Sequence, residues 1–168
     1  GLGLAKGSTA WMPTYNCGVE VQAALDAGLI VRYYRVTPDL SVDEEDLEKQ
    51  LRSCPGPVLL IHYFGFPQTG IERIFRLCQE LGSVLIEDCA HALFSSLGET
   101  PLGLFAPVSV FSLRKTLPLY DGGTLLVNGS RFGTPPSPSP SLDPYRCMVK
   151  DAIRRALGLH LTEALRRW

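Results

Sequence analysis

No stretch of the 168-residue chain approaches the roughly 20 consecutive apolar residues that a membrane-spanning helix needs, so no membrane partner is expected. No charge of one sign dominates. Lys and Arg number 16 against 17 Asp and Glu, leaving a net charge of −1. That balance gives no global field to draw nucleic acid or an anionic bilayer, so no nucleic-acid partner is expected either. Cysteine is sparse and odd in number. Cys17, Cys54, Cys78, Cys89 and Cys147 contain no Cys-x-x-Cys pair, which excludes a zinc pattern and a disulfide framework. Reduced thiols in a cytoplasmic protein are the expectation. The start, Gly1-Leu2-Gly3-Leu4-Ala5-Lys6-Gly7, lacks a Met and the basic and apolar regions of a signal peptide. A chain that begins inside a longer protein is expected. The Gly-x-Gly-x-x-Gly and Gly-x-x-x-x-Gly-Lys-Ser/Thr phosphate loops are missing too, which argues against an ordinary nucleotide-binding domain.

What is present is a core. Hydrophobic residues make up 45% of the chain, too many for disorder throughout and enough for one domain. Short runs rich in β-branched and aromatic residues alternate with helical patterns. Ala10 to Tyr15 reads as a strand and its exit, Cys17 to Ala27 as a helix with Val21, Ala24 and Leu25 on one face, and Leu29 to Val36 as a β-rich run. Ser41-Val42-Asp43-Glu44 reads as a capping box that opens a helix to about Arg52, with Leu47 and Leu51 inward. Pro57–Tyr63 is the next strand. Ile71–Leu81 is an amphipathic helix with Ile71, Ile74, Phe75 and Cys78 at helical spacing. Ser83–Asp88, Val108–Phe111 and Thr124–Val127 complete the strands. The alternation predicts α/β architecture, a three-layer αβα arrangement around a mostly parallel sheet, over residues 1–128. Residues 129–144 hold five prolines and read as a Pro/Ser-rich linker, and residues 145–168 as a basic helical tail with an apolar stripe.

Two polar residues stand where a parallel sheet opens its ligand crevice, beyond the carboxyl ends of its strands. Asp88 ends the run Val84-Leu85-Ile86-Glu87, and Lys115 follows Val108-Ser109-Val110-Phe111. Asp88 could cap the turn Cys89-Ala90-His91-Ala92, ligate a metal or bind a cofactor. The metal reading is weak, because only His91 is nearby. Lys115 could be a solvated surface amine, yet Ser112 precedes it and Asp121-Gly122-Gly123 follows, a setting that suits phosphate. A carboxylate that pairs with a pyridinium nitrogen and a lysine that forms a Schiff base are the groups pyridoxal phosphate (PLP) chemistry needs.

The segments WMPTYNCGVEVQAALDAG, VLLIHYFGFPQ, VLIEDCAHAL and FSLRKTLPLYDGG together resemble the DegT/DnrJ/StrS-like sugar aminotransferases, PLP enzymes of fold type I in the aspartate aminotransferase superfamily. The resemblance covers roughly residues 8–128 and implies a PLP-dependent transferase large domain, incomplete in this chain. It implies PLP as cofactor, an amino-acid donor such as glutamate, a keto-sugar nucleotide acceptor and a homodimer. By the same resemblance, Asp88 pairs with the pyridine nitrogen and His91 lies near the phenolic oxygen. Ser112 then donates to the phosphate, and Lys115 forms the Schiff base and shuttles the proton, with its amine kept neutral by burial and cofactor. In many family members a longer loop separates the serine from the lysine. Arg114 is therefore expected to share the phosphate contact. Cys17 falls where an aromatic side chain stacks on the ring, and Tyr15, two residues away, either stacks in its place or belongs to the core. The family's phosphate-binding Gly-Thr helix start is expected upstream of this part, and its small C-terminal domain to be missing or reduced to the tail, which leaves a truncated, non-catalytic binding or regulatory module as the alternative.

Overall fold

The computed structural model describes residues 4–119 and 121–128. The expected linker at 129–144 and tail at 145–168 lie outside the described residues.

The chain runs β1 (Thr9–Pro13), α1 (Val19–Asp26), β2 (Ile30–Tyr34), α2 (Glu44–Ser53), β3 (Val58–Ile61), a single 3₁₀ turn (Tyr63–Gly65) and α3 (Ile71–Glu80). It continues through β4 (Leu85–Asp88), β5 (Ser96–Leu97), β6 (Thr100–Pro101), β7 (Val108–Ser112), α4 (Leu113–Thr116) and β8 (Gly123–Val127). Six strands form one sheet in the order β2-β1-β3-β4-β7-β8. The first five pair in parallel, and β8 closes the edge antiparallel to β7. β5 and β6 form a separate small hairpin.

Alternation along the strands divides the core into two faces. Trp11, Leu60 and Leu85 point to one face. There Leu47 and Leu51 of α2 and Ile71, Ile74 and Cys78 of α3 meet them, all fully or almost fully buried. Ala10, Met12 and Leu59 point to the other, under Ala24 of α1. A parallel strand needs cover on both faces, which is why these strands read as continuous apolar runs rather than alternating ones. Among the described residues no helix is long and apolar enough to cross a membrane.

Three local expectations are corrected. The capping box does not start α2. Asp43 caps it, accepting from the Asp46 N–H at 3.0 Å, while the Ser41 hydroxyl turns to Asp39. A bridge between Val36 and Val42 holds residue 42 extended, so the helix cannot begin at Ser41. Helix α1 begins at Val19, after Gly18 in a left-handed conformation (φ 81°), and Leu25 is 49% exposed rather than inward. The strand expected through Tyr63 stops at Ile61, because Tyr63 to Gly65 turn sharply with Phe64 at φ 55°.

In chain order β1 goes outward to β2, and the chain then returns to place β3 on the other side of β1. That reversal is a topological switch point, where a crevice opens beyond the carboxyl ends of β1 and β3.

Candidate active site at the carboxyl ends of the strands

The switch point is lined as its geometry requires. Tyr15 lies just past β1 and Tyr63 just past β3. Their rings sit 5.5 Å apart at 52°, and the Tyr63 hydroxyl donates to the Tyr15 carbonyl at 2.5 Å. Beside them a cavity of about 320 Å³ is lined by Tyr15, Cys17, Glu20, Tyr63, Asp88, His91 and Lys115, among others. Five of the seven residues singled out from sequence therefore line one cavity. Ser112, half-buried at the end of β7, and Arg114, exposed on α4, do not line it.

Asp88 ends β4, in register with Ile61 of β3 and Val110 of β7. Only 4% of it is exposed. One oxygen, Oδ1, accepts from the Ala90 N–H at 2.8 Å, so the turn-capping reading holds for half of the carboxylate. Among the described residues nothing donates to Oδ2. Burial pushes the carboxyl above its ordinary range, opposed by the Ala90 N–H and by the nearby charges of Lys115 and His91.

Lys115 sits on the short turn α4, which β7 carries to the same end of the sheet. Its Nζ lies 3.0 Å from His91 Nε2. Desolvation first, and the lysine cation second, hold the His91 imidazole below its ordinary value. A neutral ring at physiological pH can accept from the ammonium at Nε2, with its proton on Nδ1. Lys115 is exposed, so the burial expected around its amine is absent among the described residues. Cys17 is also exposed. Its Sγ donates toward Glu20 at 3.1 Å, and partial burial raises the thiol.

Sequence reasoning missed Glu87 and His62. Both are buried completely or nearly so; His62 is among the residues lining the cavity, and its Nε2 lies 3.1 Å from Glu87 Oε2. The available signal was a second carboxylate inside a strand that must be covered on both faces.

The donor set suits the ring end of PLP. Asp88 presents an oxygen that has no donor among the described residues and can accept from a ring N–H, and Lys115 presents an amine to the same cavity. For the phosphate end, the Ser112 and Arg114 expected to hold it lie outside this cavity.

Comparison with known proteins sets this geometry in context. The chain is 28% identical over 130 residues to GDP-perosamine synthase of Vibrio cholerae, covering 76% of this chain and 35% of that protein. It is 30% identical over 125 residues to a dTDP-4-dehydro-2,3,6-trideoxy-D-glucose 4-aminotransferase of Saccharopolyspora spinosa, covering 73% and 32%. The chain thus spans about a third of the length of these relatives. The aminotransferase TlmJ from Streptoalloteichus hindustanus shares the fold at a TM-score of 0.68 and 24% identity, over 91% of this chain and 38% of that one. An E. coli GDP-4-keto-6-deoxy-D-mannose-3-dehydratase with bound hydrated PLP shares it at 0.65 and 18%, over 75% and 33%. The model of the DegT/DnrJ/EryC1/StrS aminotransferase family matches residues 2–133. The chain belongs to that family.

Proposed function

We propose that this chain carries the cofactor-binding part of a PLP-dependent aminotransferase that moves an amino group from an amino acid such as glutamate to a keto-sugar nucleotide. The observation that carries the reading is one cavity lined both by a buried carboxylate, Asp88, with an oxygen that has no donor among the described residues, and by a lysine amine 3.0 Å from a neutral imidazole. PLP supplies an aldehyde that condenses with amines and a ring that withdraws electrons from the attached carbon.

The protein's own residues would divide the remaining work. Asp88, held by β3 and β7 on either side, would orient the ring and keep its nitrogen protonated. Burial of that carboxylate strengthens its attraction for a cationic partner inside the cavity. Lys115 Nζ would anchor the aldehyde carbon and hold the transferred proton. His91 Nε2 lies at hydrogen-bond distance, so it can pass or accept that proton. Tyr15 would cover the ring face, leaving Cys17 at the cavity edge. Ser112 and Arg114 would hold the phosphate after a shift of the α4 turn. A homodimer and a cytoplasmic setting belong to the same reading, and the described cysteines are all free thiols, which suits a reducing compartment.

The test is direct. PLP is added, the protein is reduced with borohydride, and peptides are mapped by mass spectrometry. The expected result is a pyridoxyl group on Lys115, lost in Lys115→Ala together with the visible absorption band. No adduct in the chain, nor in a version extended to the length of its relatives, would refute the reading. The second reading, a non-catalytic binding module, draws support from Ser112 and Arg114 lying outside the cavity. It predicts that neither protein forms the adduct.

A further inference from the structure

A buried polar network that the chemistry above does not use reaches the cavity through His62. Glu87 precedes Asp88 on β4, so its side chain projects to the opposite face of the sheet. It is fully buried. Oε2 accepts from the Gly103 N–H at 2.8 Å and lies 3.1 Å from His62 Nε2, and Oε1 accepts from the Ala106 N–H at 2.6 Å. The Ser109 hydroxyl is 3.5 Å away and donates instead to the Gly103 carbonyl at 2.7 Å.

The state of His62 follows from its other nitrogen. Nδ1 accepts from the Gln68 N–H at 3.1 Å, so it carries no proton, and Nε2 must be the donor to Glu87. The imidazole in this arrangement is neutral. The Glu87 charge is therefore balanced by N–H dipoles rather than by a cation, an arrangement that holds only while every donor stays in place.

One of those donors, His62, lines the cavity, and Gly103 packs closely against the ring of Phe111 in β7, the strand that leads into the turn carrying Lys115. The His62 backbone N–H donates to the Asp88 carbonyl at 3.0 Å. The end of β3 is thus tied to the end of β4 twice, through the backbone and through the Glu87 side chain. His62 leads directly into Tyr63 and Phe64, which line the cavity, and Gly65 packs against the His91 carbonyl.

We propose that Glu87 and His62 are a positioning pair: Glu87 acts through His62 and the 103–106 loop to set where Asp88, His91 and Lys115 meet. This extends the reading of those three residues as one site, but its test needs no cofactor. The His91 ring of the cofactor-free protein is titrated by NMR, with His91→Gln to assign the signal. Glu87→Gln keeps the shape but puts an NH₂ group against at least one N–H donor. Loosening the site frees His91 from burial and from Lys115, so its midpoint should rise by about half a pH unit or more toward the ordinary histidine value. Leu47→Ala, equally buried but outside the network, should leave the midpoint in place.

An unchanged midpoint in folded Glu87→Gln, or a rise no larger than in Leu47→Ala, overturns the proposal. Should Glu87→Gln fail to fold, His62→Gln carries the test with the same two outcomes. A missing pyridoxyl adduct at Lys115 would refute the functional reading while leaving this titration intact.

Discussion

Gly65 offers a sharp test of how the fold sets the site. It sits at φ +87°, and a Cβ built there would lie 2.6 Å from the His91 backbone carbonyl oxygen. Gly65→Ala therefore meets two penalties. The left-handed backbone costs an L-residue about 1–2 kcal/mol. The contact is with backbone, so it cannot be relieved by a rotamer change. The carbonyl must retreat by about 0.8 Å to reach ordinary van der Waals distance. Overpacking of this kind costs about 1–3 kcal/mol. The two together give a loss of about 2–5 kcal/mol, against a typical domain stability of about 5–15 kcal/mol. The variant should fold, but weakly. Gly82→Ala separates the two contributions, because Gly82 has φ +65° and nothing within 4 Å of an added Cβ. It should lose only the backbone part. Urea denaturation of both variants gives the stability difference, and NMR of the His91 ring shows whether the loop has moved off Lys115. Equal losses in the two variants, with an unmoved His91, would refute the contact argument.

Asp88→Asn should stabilise the cofactor-free protein at neutral pH. Burial raises the Asp88 carboxyl, so its contribution to stability is present below the ordinary carboxylate value and lost as pH rises through the raised one. Asn keeps an acceptor for the Ala90 N–H, and its melting temperature should exceed wild type at neutral pH, with the gap closing in acid. A lower melting temperature at neutral pH would count against the burial assignment. Glu87 runs the opposite way. Burial pushes its carboxyl up, but the hydrogen bonds from His62, Ala106 and Gly103 outweigh burial and hold it below the ordinary value. Its contribution is present above that ordinary value and lost as pH falls through the lowered one, so Glu87→Gln should flatten the acid side of a urea-stability profile. Tyr34→Phe removes a buried hydroxyl that donates to the Leu59 carbonyl at 2.7 Å. It should cost about 1–2 kcal/mol in urea denaturation, and a loss near zero would mean the bond is redundant.

Much of the fold was legible because a buried parallel strand announces itself as a short apolar run. Val58–Ile61, Leu85–Asp88 and Val108–Ser112 lie where those runs lie. Asp88 was legible for the same reason, since the run ends on it. Other features depend on contacts distant in sequence. Ser41-x-x-Glu44 has the spacing of a capping box, but the pairing of Val36 with Val42 decides where α2 starts. Leu25 fits a helical face, but α1 covers the sheet mainly through Ala24. Glu87 was read as part of a strand and given no partner. Its donors come from residues 62, 103 and 106, and no local pattern brings those together.

The fold alone does not select the reaction. Its neighbours carry names of both an aminotransferase and a sugar 3-dehydratase. What this chain adds is the placement of particular groups on a common frame. The switch between β1 and β3 opens a crevice that Tyr15 and Tyr63 flank, and β4 brings a desolvated carboxylate to its floor. β7 then delivers a lysine to the same cavity, beside an imidazole that desolvation makes less basic. Among the described residues Asp88 and Lys115 line the same cavity without forming an ion pair, an arrangement that leaves both groups open to a third. It suits a guest that brings its own cation to Asp88 and its own electrophile to Lys115. The Asp88 oxygen that has no donor among the described residues is thus the detail that argues most directly for a ligand at the carboxyl end of β4.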